Sequence, residues 1–363
     1  MAEFVNEYRE AVRERSILKI RQMLETMPDY VRAYIRGISQ NHMETTQLAY
    51  LVDIRTFLEW LVRANPALES RQTDPSDLSV VTLSVLESLK AEDFEEYLTS
   101  LDLYEDELET GKVKRKNGVR SKRRKFSALR SFYDYLFKND KIALNPILKV
   151  AMPDSRALKR HHVTALEANE TAALVDAVES GASLSKGAAS HHEKYRYRDL
   201  AIVTLMLSTG IRVSECVGLD LDHIDLEEMK MTVVRKGGFS DEVYFNEETL
   251  TALRDYLEND RLKTTAKEGS ERALFLSNRR QRIAVRTIEE LVAKYAKGTI
   301  SGKHVKVHSL RSSLASSLIN EDGVPLTTVK DILGHASVQT TQMYVEESKL
   351  GKRRAAQGRK LRG

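Results

Sequence analysis

The apolar pattern of this chain changes character at Asn145-Pro146, and that change constrains the fold more than any other feature. Before it, apolar residues recur every three or four positions, as in 45–64, which is typical of amphipathic helices. No convincing strand pattern occurs within 30–145. After residue 167, helical segments alternate with short runs of period two. The sequence therefore predicts two domains of different class, joined near this dipeptide.

The predicted organisation has five parts. They are a helical extension at 1–28, a helical domain at 29–150, an interdomain linker at 151–164, an α+β domain at 165–348 and a basic tail at 349–363. The linker contains Pro153 and several basic residues and histidines, which is typical of an extended connection. The fold class is multidomain and mainly α, with an all-helical N-terminal bundle and a C-terminal α+β domain that carries a small sheet or hairpin.

Individual elements can also be predicted. In the N-terminal domain, the helix 124–139 has an apolar face that we expect to be core rather than a platform for base stacking: Phe126, Leu129, Phe132, Tyr133, Leu136 and Phe137. In the C-terminal domain, we expect an insert at 181–198, a buried helix at 199–208 and a short strand at 273–276. Runs at 231–236 and 242–245 predict a hairpin with Gly237 and Gly238 at its tip. Further helices are expected near 247–260, 286–296, 308–320, 326–333 and 338–348.

Length and composition are those of a soluble globular protein with room for two cores, since 41% of its 363 residues are hydrophobic and 30% are charged. No apolar run approaches the roughly 20 residues of a membrane span. The first residues lack the basic flank and apolar core of a secretory signal. The single cysteine, Cys216, excludes an internal disulfide and is expected to be a buried spacer. We expect a cytoplasmic, nucleoid-associated protein with no membrane partner.

The net charge of +4 conceals an uneven distribution. The run 112–125 is basic at nine of its fourteen positions: Lys112, Lys114, Arg115, Lys116, Arg120, Lys122, Arg123, Arg124 and Lys125. An acidic stretch, 92–109, lies directly before it. Charge runs are commonly solvated surface, but a basic run that leads into an aromatic-rich helix favours contact with nucleic-acid phosphates. We therefore predict that these nine residues bind DNA.

Six reactive side chains occur in the C-terminal domain: Arg212, Lys236, His308, Arg311, His335 and Tyr344. Two arginines, a lysine and two histidines can stabilise a pentavalent phosphorane by electrostatics and positioning, without a metal. A tyrosine beside them can act as the nucleophile and conserve the phosphodiester energy in a covalent bond to the enzyme. Together these residues predict a chain that cuts and rejoins DNA with no cofactor and no metal site.

Each of these residues alone has an ordinary structural explanation. Arg212 could pair with Glu215, Lys236 could be a solubilising charge at a hairpin tip, and His335 could cap a helix end. The six residues indicate phosphoryl-transfer chemistry only because they occur together, in this order and with this spacing. The adjacent histidine pairs elsewhere in the chain point to different sides of any regular element, which argues against a metal site there.

The motifs around these residues resemble those of the tyrosine site-specific recombinases, the phage integrase family. The matching segments are STGIRVSE at 208–215, VRKGG at 234–238, HSLR at 308–311 and LGHASVQTTQMY at 333–344. The resemblance extends over the whole chain, since 30–145 resembles the SAM-like core-binding domain of the family. Segments at 83–86, 234–238 and 288–295 are most similar to the Xer branch, and within it to the longer, single-protein recombinases of streptococci and their relatives.

The resemblance implies a role for each reactive residue. Arg212 and Arg311 would grip the non-bridging oxygens of the scissile phosphate, and Tyr344 would attack it to form a 3′-phosphotyrosine. His308 would be the base, and Lys236 would protonate the leaving 5′-oxygen. His335 would hydrogen-bond a phosphate oxygen or align the site, and Glu215 would orient Arg212 or His308. Ser312 stands where the family often has a histidine, and could either bind phosphate or fill space.

The implied partners are double-stranded DNA with an inverted-repeat target site, three further copies of the chain in a homotetramer on two sites, and a DNA translocase as a candidate partner. The tail at 349–363 would dock onto a neighbouring protomer. Xer-type resolution of chromosome dimers is favoured over mobile-element integration, because no arm-binding domain is evident before residue 28. A type IB topoisomerase would use the same chemistry without paired sites, and a non-catalytic DNA-binding protein would not explain the reactive set.

Overall fold

The structure is a computed structural model that describes residues 7–64, 77–108, 111–154, 164–182, 184–235 and 237–345. The side chains of 104–108, 111–115 and Lys186 are also outside the description. By their contacts the residues divide into two units, one formed by Arg9–His161 and the other by His162–Gly363 together with Met1–Tyr8. Most of the predicted linker, Lys236 and the tail lie outside the described residues. The five predicted domain boundaries therefore stay a prediction.

The N-terminal unit is built mainly from helices joined by short connections. They are α1 (Glu7–Leu24), α2 (Asp29–Ile38), α3 (Glu44–Ala64), α4 (Leu83–Ser88), α5 (Ala91–Ser100) and α6 (Val119–Lys138), with 3₁₀ turns at Leu78–Val80 and Pro146–Lys149. Thr82 caps α4 by accepting a hydrogen bond from the Val85 amide. Pro28 precedes α2, where its fixed φ suits a helix start.

Aromatic side chains fill the core between these helices. Phe57 on α3 stacks on Phe94 of α5 with ring centroids 5.6 Å apart, and meets Tyr97 edge-on at 5.0 Å. Phe132 and Tyr133 on α6 are fully buried. The prediction that this stripe is core is confirmed for the positions from Phe126 to Leu136, but it is wrong for Phe137, which is 44% exposed. One residue beyond Leu136, the helix has turned by about 100°, so that position faces away from the core.

An antiparallel hairpin occurs in the unit that was predicted to be all-helical. Strand β1 (Tyr104–Leu108) pairs with β2 (Gly111–Arg115), and the register sets Glu105 against Lys114 and Glu107 against Lys112. The expectation of no strand within 30–145 is therefore wrong. Strand prediction relies on alternating apolar residues, and these two strands consist largely of acidic and basic residues that do not give this pattern. The fold class is otherwise confirmed.

The C-terminal unit combines helices with one small sheet. Its elements are α7 (Ala168–Ser180), α8 (Lys186–Thr209), α9 (Val213–Val217), β3 (Ile224–Asp225), β4 (Lys230–Val234), β5 (Ser240–Tyr244), α10 (Glu247–Asn259), α11 (Val285–Thr299), α12 (Val307–Asn320), α13 (Leu326–Leu333) and α14 (Val338–Gln342), with 3₁₀ turns at Leu221–His223 and Arg261–Lys263. The strands form an antiparallel sheet in the order β3-β4-β5. The predicted hairpin is confirmed, and Gly237 and Gly238 beyond β4 both have positive φ.

Three local predictions differ from the structure. The expected insert at 181–198 is largely the first half of α8, one helix of 24 residues whose second half is the predicted buried segment. Charged side chains on an exposed helical half lack the apolar periodicity that predicts a helix. The predicted strand at 273–276 makes only isolated bridges, Asp220 with Ala273 and Leu276 with Arg282. The last predicted helix is described only as Val338–Gln342.

The core of this unit surrounds the second half of α8. Ala201, Ile202, Val203 and Leu205 are fully buried there, together with side chains of α10, α11 and the sheet. Cys216 is fully buried in the same core, and burial raises the pKa of its thiol to about 12, in agreement with the predicted spacer role. No helix among the described residues has both the length and the apolar character that crossing a bilayer requires.

Candidate active site

Arg212 is positioned by the turn that ends α8 and begins α9. Gly210 ends α8 in the left-handed conformation, with φ of +61°. Arg212 is the N-cap of α9, and the Glu215 carboxylate accepts hydrogen bonds from both the Arg212 backbone amide and its Nη1, each at 2.8 Å. The carboxylate is buried, whereas the Arg212 side chain is 32% exposed. The structure thus pairs Glu215 with Arg212, the first of the two partners that the sequence allowed.

The C-terminal end of α13 binds three different arginines. Successive backbone carbonyls there accept one guanidinium each: Ile332 from Arg235 at 3.0 Å, Leu333 from Arg311 at 2.5 Å and Gly334 from Arg212 at 3.2 Å. The last carbonyls of a helix have no partner within it and carry the negative end of the helix dipole. This helix end therefore collects cationic side chains from β4, α12 and the start of α9 in one place.

Arg235 was not predicted as a site residue, although it adjoins the predicted Lys236. Its side chain is 1% exposed, and besides Ile332 it binds Asp241 through Nε at 2.8 Å and Glu215 through Nη1 at 3.2 Å. A single arginine among 57 basic residues gives no sequence signal of burial. Only its position beside a predicted site residue, at the end of an alternating strand, could have drawn attention to it.

Gly334 permits this arrangement because it has no side chain. A Cβ at this position would lie 2.7 Å from Nε of Arg235 and 2.9 Å from its Cζ, closer than such atoms approach in proteins. The residue also has φ of +61°, which strains other residue types. The glycine of the LGH motif therefore both ends α13 and leaves room for a buried guanidinium.

His308 and Arg311 lie one turn apart on α12, and both are affected by the other cations. Loss of water around the His308 ring and the charges of Arg311 and Arg212 lower the pKa of His308, although the residue keeps some exposure. Burial and the charge of Arg212 lower the pKa of Arg311 to about 10. The structure therefore brings Arg212, His308 and Arg311 within electrostatic reach of one another.

His335 and Tyr344 stack on each other at the end of the same region. Their ring centroids are 6.2 Å apart with an interplanar angle of 12°, and both residues are buried. Nδ1 of His335 is 2.9 Å from Oγ1 of Thr341, which fixes the ring. Burial, followed by the charges of Arg311 and Arg212, lowers the pKa of His335 to about 4. The Tyr344 carbonyl accepts a hydrogen bond from the side chain of Asn320, the last residue of α12. This contact attaches the backbone at Tyr344 to the end of that helix.

The other two predicted positions near the site differ in outcome. Lys236 lies outside the described residues, so its role stays a prediction. Ser312 is 1% exposed, and its hydroxyl donates to the His308 carbonyl at 2.9 Å. This contact, one helical turn back, favours the space-filling interpretation of Ser312 over phosphate binding.

The structure divides the predicted DNA-binding residues into two groups. Lys116, just before α6, and Arg120, in its first turn, are exposed, and the side chains of Lys112, Lys114 and Arg115 lie outside the description. The other four make contacts within the chain: Lys122 with Asp102, Arg123 with the Pro153 carbonyl, and Arg124 and Lys125 with Asp53.

Lys125 differs most from a surface contact. It is 5% exposed, and its Nζ lies 3.2 Å from Oδ1 of the fully buried Asp53. Because the first turns of α6 contain several basic residues, the sequence does not reveal that Lys125 is the one directed toward α3. A buried ion pair of this kind is costly to break because one charge is left unpaired. The geometry thus gives Lys125 a role in joining α3 to α6.

One group of side chains in the described part of the chain could be considered for metal binding: Asp220, Asp222 and His223. Nδ1 of His223 accepts a hydrogen bond from the Asp220 amide at 3.0 Å, which leaves the proton of the neutral ring on Nε2. Nε2 is the atom that faces Asp220 and Asp222, at 3.8 and 4.0 Å. A protonated nitrogen offers no lone pair to a metal, so this group does not have the donor set of a metal site.

Comparison with known proteins shows which family the chain is similar to. Residues 165–350 match the model of the phage integrase family. The tyrosine recombinase XerS of Streptococcus agalactiae is 34% identical over 352 residues, which cover 92% of this chain and 95% of that protein. The tyrosine recombinase XerC of Caldanaerobacter subterraneus subsp. tengcongensis is 32% identical over 340 residues, covering 92% of this chain and 86% of that protein.

Solved structures share the fold. The XerH site-specific recombinase bound to its difH substrate matches with a TM-score of 0.60 and 18% identity, over 90% of this chain and 83% of that one. The Tn1549 transposon integrase in complex with circular intermediate DNA matches with a TM-score of 0.61 and 19% identity, over 91% and 99%. The predicted resemblance is confirmed: the chain belongs to the phage integrase family, as an Xer-type tyrosine recombinase that cleaves and rejoins DNA in site-specific recombination.

Proposed function

We propose that the residues gathered at the end of α13 carry out this recombination and that its biological role is the resolution of chromosome dimers. The observation that carries the proposal is that Arg311, Arg212 and His308 all act electrostatically on His335, whose ring stacks on that of Tyr344. Among the described residues, the acidic partners of the three arginines here are Glu215, which pairs with Arg212 and Arg235, and Asp241, which pairs with Arg235. Such a site has an excess of positive charge, which the phosphodiester of a DNA backbone would balance.

The first step joins Tyr344 to the DNA. The phenol oxygen attacks the scissile phosphorus, a phosphorus–oxygen bond to the 5′-oxygen breaks, and a 3′-phosphotyrosine and a free 5′-hydroxyl result. Each guanidinium has five N–H donors. Arg212 uses two of them, on Glu215 and the Gly334 carbonyl, and Arg311 uses two, on the carbonyls of Leu333 and Gly210. The other donors are suited to the non-bridging phosphate oxygens. Rejoining is the reverse reaction, with the 5′-hydroxyl of the partner strand as nucleophile.

Proton transfers accompany both bond changes. His308 accepts the phenolic proton, which its lowered pKa permits because the ring is neutral at physiological pH. Lys236 supplies the proton that the 5′-oxygen needs as it leaves. His335 is neutral because burial and then the charges of Arg311 and Arg212 lower its pKa. Since its Nδ1 is directed at Thr341, its Nε2 is the atom available to a phosphate oxygen. Positioned cations supply the charge that a metal would supply in other phosphoryl-transfer enzymes.

The substrate is double-stranded DNA with an inverted-repeat target site, bound by both units. Four protomers would meet on two sites, because recombination needs four strand cuts. The tail at 349–363 is proposed to dock onto the neighbouring protomer, and a DNA translocase would bring the two sites together near the nucleoid. The relatives at 32% and 34% identity are named XerC and XerS recombinases, which supports a chromosomal role over the transposon role of the structural neighbour at 19%.

The covalent step gives a direct prediction. A suicide substrate nicked near the cleavage point should trap a protein–DNA adduct on the tryptic peptide that contains Tyr344. Tyr344→Phe should bind target DNA but form no adduct, because the ring remains and only the nucleophilic oxygen is lost. Tyr295→Phe, which removes another buried phenol, is the matched control and should still form the adduct. An adduct on another tyrosine, or loss of cleavage in a chelator, would contradict the mechanism.

The histidine environment predicts a dependence on pH. Because the pKa of His335 falls from 6.5 in the unfolded chain to about 4 in the folded one, the unfolded chain binds more protons between these values. The free energy of unfolding should therefore fall as pH drops through this window, and the fall should be smaller in His335→Gln. Titration of the ring by NMR in DNA-free protein checks the assignment directly. A His335 ring that titrates at or above 6.5 would show that the cations do not act on it.

The basic run predicts how DNA binding depends on salt. Replacing Lys116 and Arg120 by glutamine should weaken binding to target and random DNA alike and flatten the salt slope by about 0.9 for each lost phosphate contact. Lys125→Gln is the matched control from the same run. It should lower the stability of the protein, since Asp53 loses a buried partner, but leave the salt slope of the folded protein unchanged. An unchanged slope for the first pair would place these two residues in solvent.

The proposed docking of the tail predicts that its deletion prevents assembly but not DNA binding. Deletion from Lys349 should leave binding of one protomer to a single site intact, while the complex of four protomers on two sites should no longer form. Gel shifts and analytical ultracentrifugation with one-site and two-site DNA measure the two properties. Recombination of two sites at the wild-type rate by the truncated protein would mean that the tail is only a solvated charge run.

A further inference from the structure

Arg235 is a buried cation that has no role in the reaction proposed above. Its guanidinium reaches Asp241 on β5, Glu215 on α9 and the Ile332 carbonyl at the end of α13. Burying a guanidinium costs free energy that apolar packing would not, and Arg retains its charge at any physiological pH. The side chain is 1% exposed, so DNA cannot contact it in this structure.

Two of these contacts are shared with catalytic groups. Glu215 Oε2 accepts from Arg235 and from the Arg212 amide, while Oε1 accepts from the Arg212 guanidinium. At the end of α13, the carbonyls next to Ile332 hold Arg311 and Arg212. The guanidinium also lies directly against Gly334, the residue before His335. Arg235 thus touches the supports of Arg212, Arg311 and His335 without touching the reacting atoms.

We propose that Arg235 is a positioning residue, which holds Glu215 and the end of α13 together so that Arg212 and His335 meet the scissile phosphate in register. The inference rests on the function proposed above and adds a residue to it. Arg212 itself joins Glu215 to the Gly334 carbonyl, but its side chain is 32% exposed. Arg235 adds a second, fully buried connection between the same carboxylate and the helix end that precedes His335. Misplacing a catalytic group by about 1 Å can cost roughly 10²-fold in rate, so this link has a measurable consequence.

Electrostatics provide a readout that a purely structural role would not change. The charge of Arg235 is among those that lower the pKa of His335, after burial and the charges of Arg311, Arg212 and His308. Neutralising Arg235 should therefore raise the pKa of His335, whereas a lysine, which keeps the charge but not the planar fork, should leave it closer to its low value.

The experiment compares Arg235→Gln, Arg235→Lys and Arg286→Gln. Arg286 is the matched control, since its side chain is 86% exposed and pairs only with Glu290 on its own helix in the described structure. Target-site Kd, the single-turnover rate of adduct formation on a suicide substrate, and the NMR titration of His335 are measured for each. Both Arg235 variants should bind within about threefold of wild type but cleave about 10- to 100-fold more slowly. Only Arg235→Gln should raise the pKa of His335, and Arg286→Gln should change nothing.

The outcomes decide the proposal. Folded Arg235→Gln that cleaves at the wild-type rate overturns it, and so does a slow variant in which the pKa of His335 is unchanged. If Arg235→Gln does not fold, Asp241→Ala removes one anchor of Arg235 at a half-buried position, and a wild-type cleavage rate there overturns the proposal equally. Failure of the proposed function is recognised separately: in that case Tyr344→Phe of otherwise wild-type sequence would still form the adduct.

Discussion

The arrangement of the site depends on the negative end of one short helix. Three carbonyls at the end of α13 accept hydrogen bonds from Arg235, Arg311 and Arg212, which come from separate parts of the chain. A helix end leaves these carbonyls unpaired, and its dipole favours cations beside them. The buried carboxylate of Glu215 holds two of the same arginines from the other side. Without these acceptors, three guanidinium groups would repel one another out of any common site.

The same charges determine how the neighbouring residues ionise. Burial, followed by the charges of the neighbouring arginines, lowers the pKa of His308, of His335 and even of Arg311. Both rings are consequently neutral when the protein is free of DNA. The negative charge of a bound phosphodiester would offset the positive charge of the arginines and raise the pKa of His308. In the proposed reaction, substrate binding thus makes it easier for His308 to accept the proton of Tyr344.

Prediction from the sequence succeeded where a residue's task follows from its chemistry. The family and the combination of a helical part with an α+β part were predicted correctly, because motif spacing and apolar periodicity are local properties. Prediction failed where it had to decide whether a charged side chain lies on the surface or in the interior. Lys125 belongs to the most basic run in the chain, yet it is buried against Asp53. The hairpin β1-β2 was missed because its strands pair acidic with basic residues rather than following an apolar pattern.

The sequence by itself determined which chemistry the protein performs, since only particular side chains can attack a phosphate, hold its charge and move its protons. It also determined where α13 ends, because Gly334 can take a left-handed conformation that other residues resist. The tertiary structure alone decided that Arg235 binds the same helix end as Arg212 and Arg311, and that the Ser312 hydroxyl donates to the His308 carbonyl. Burial and hydrogen bonds depend on residues that are distant in the sequence, such as Arg235 and Ile332, which are more than 90 positions apart. Local sequence patterns therefore do not predict them.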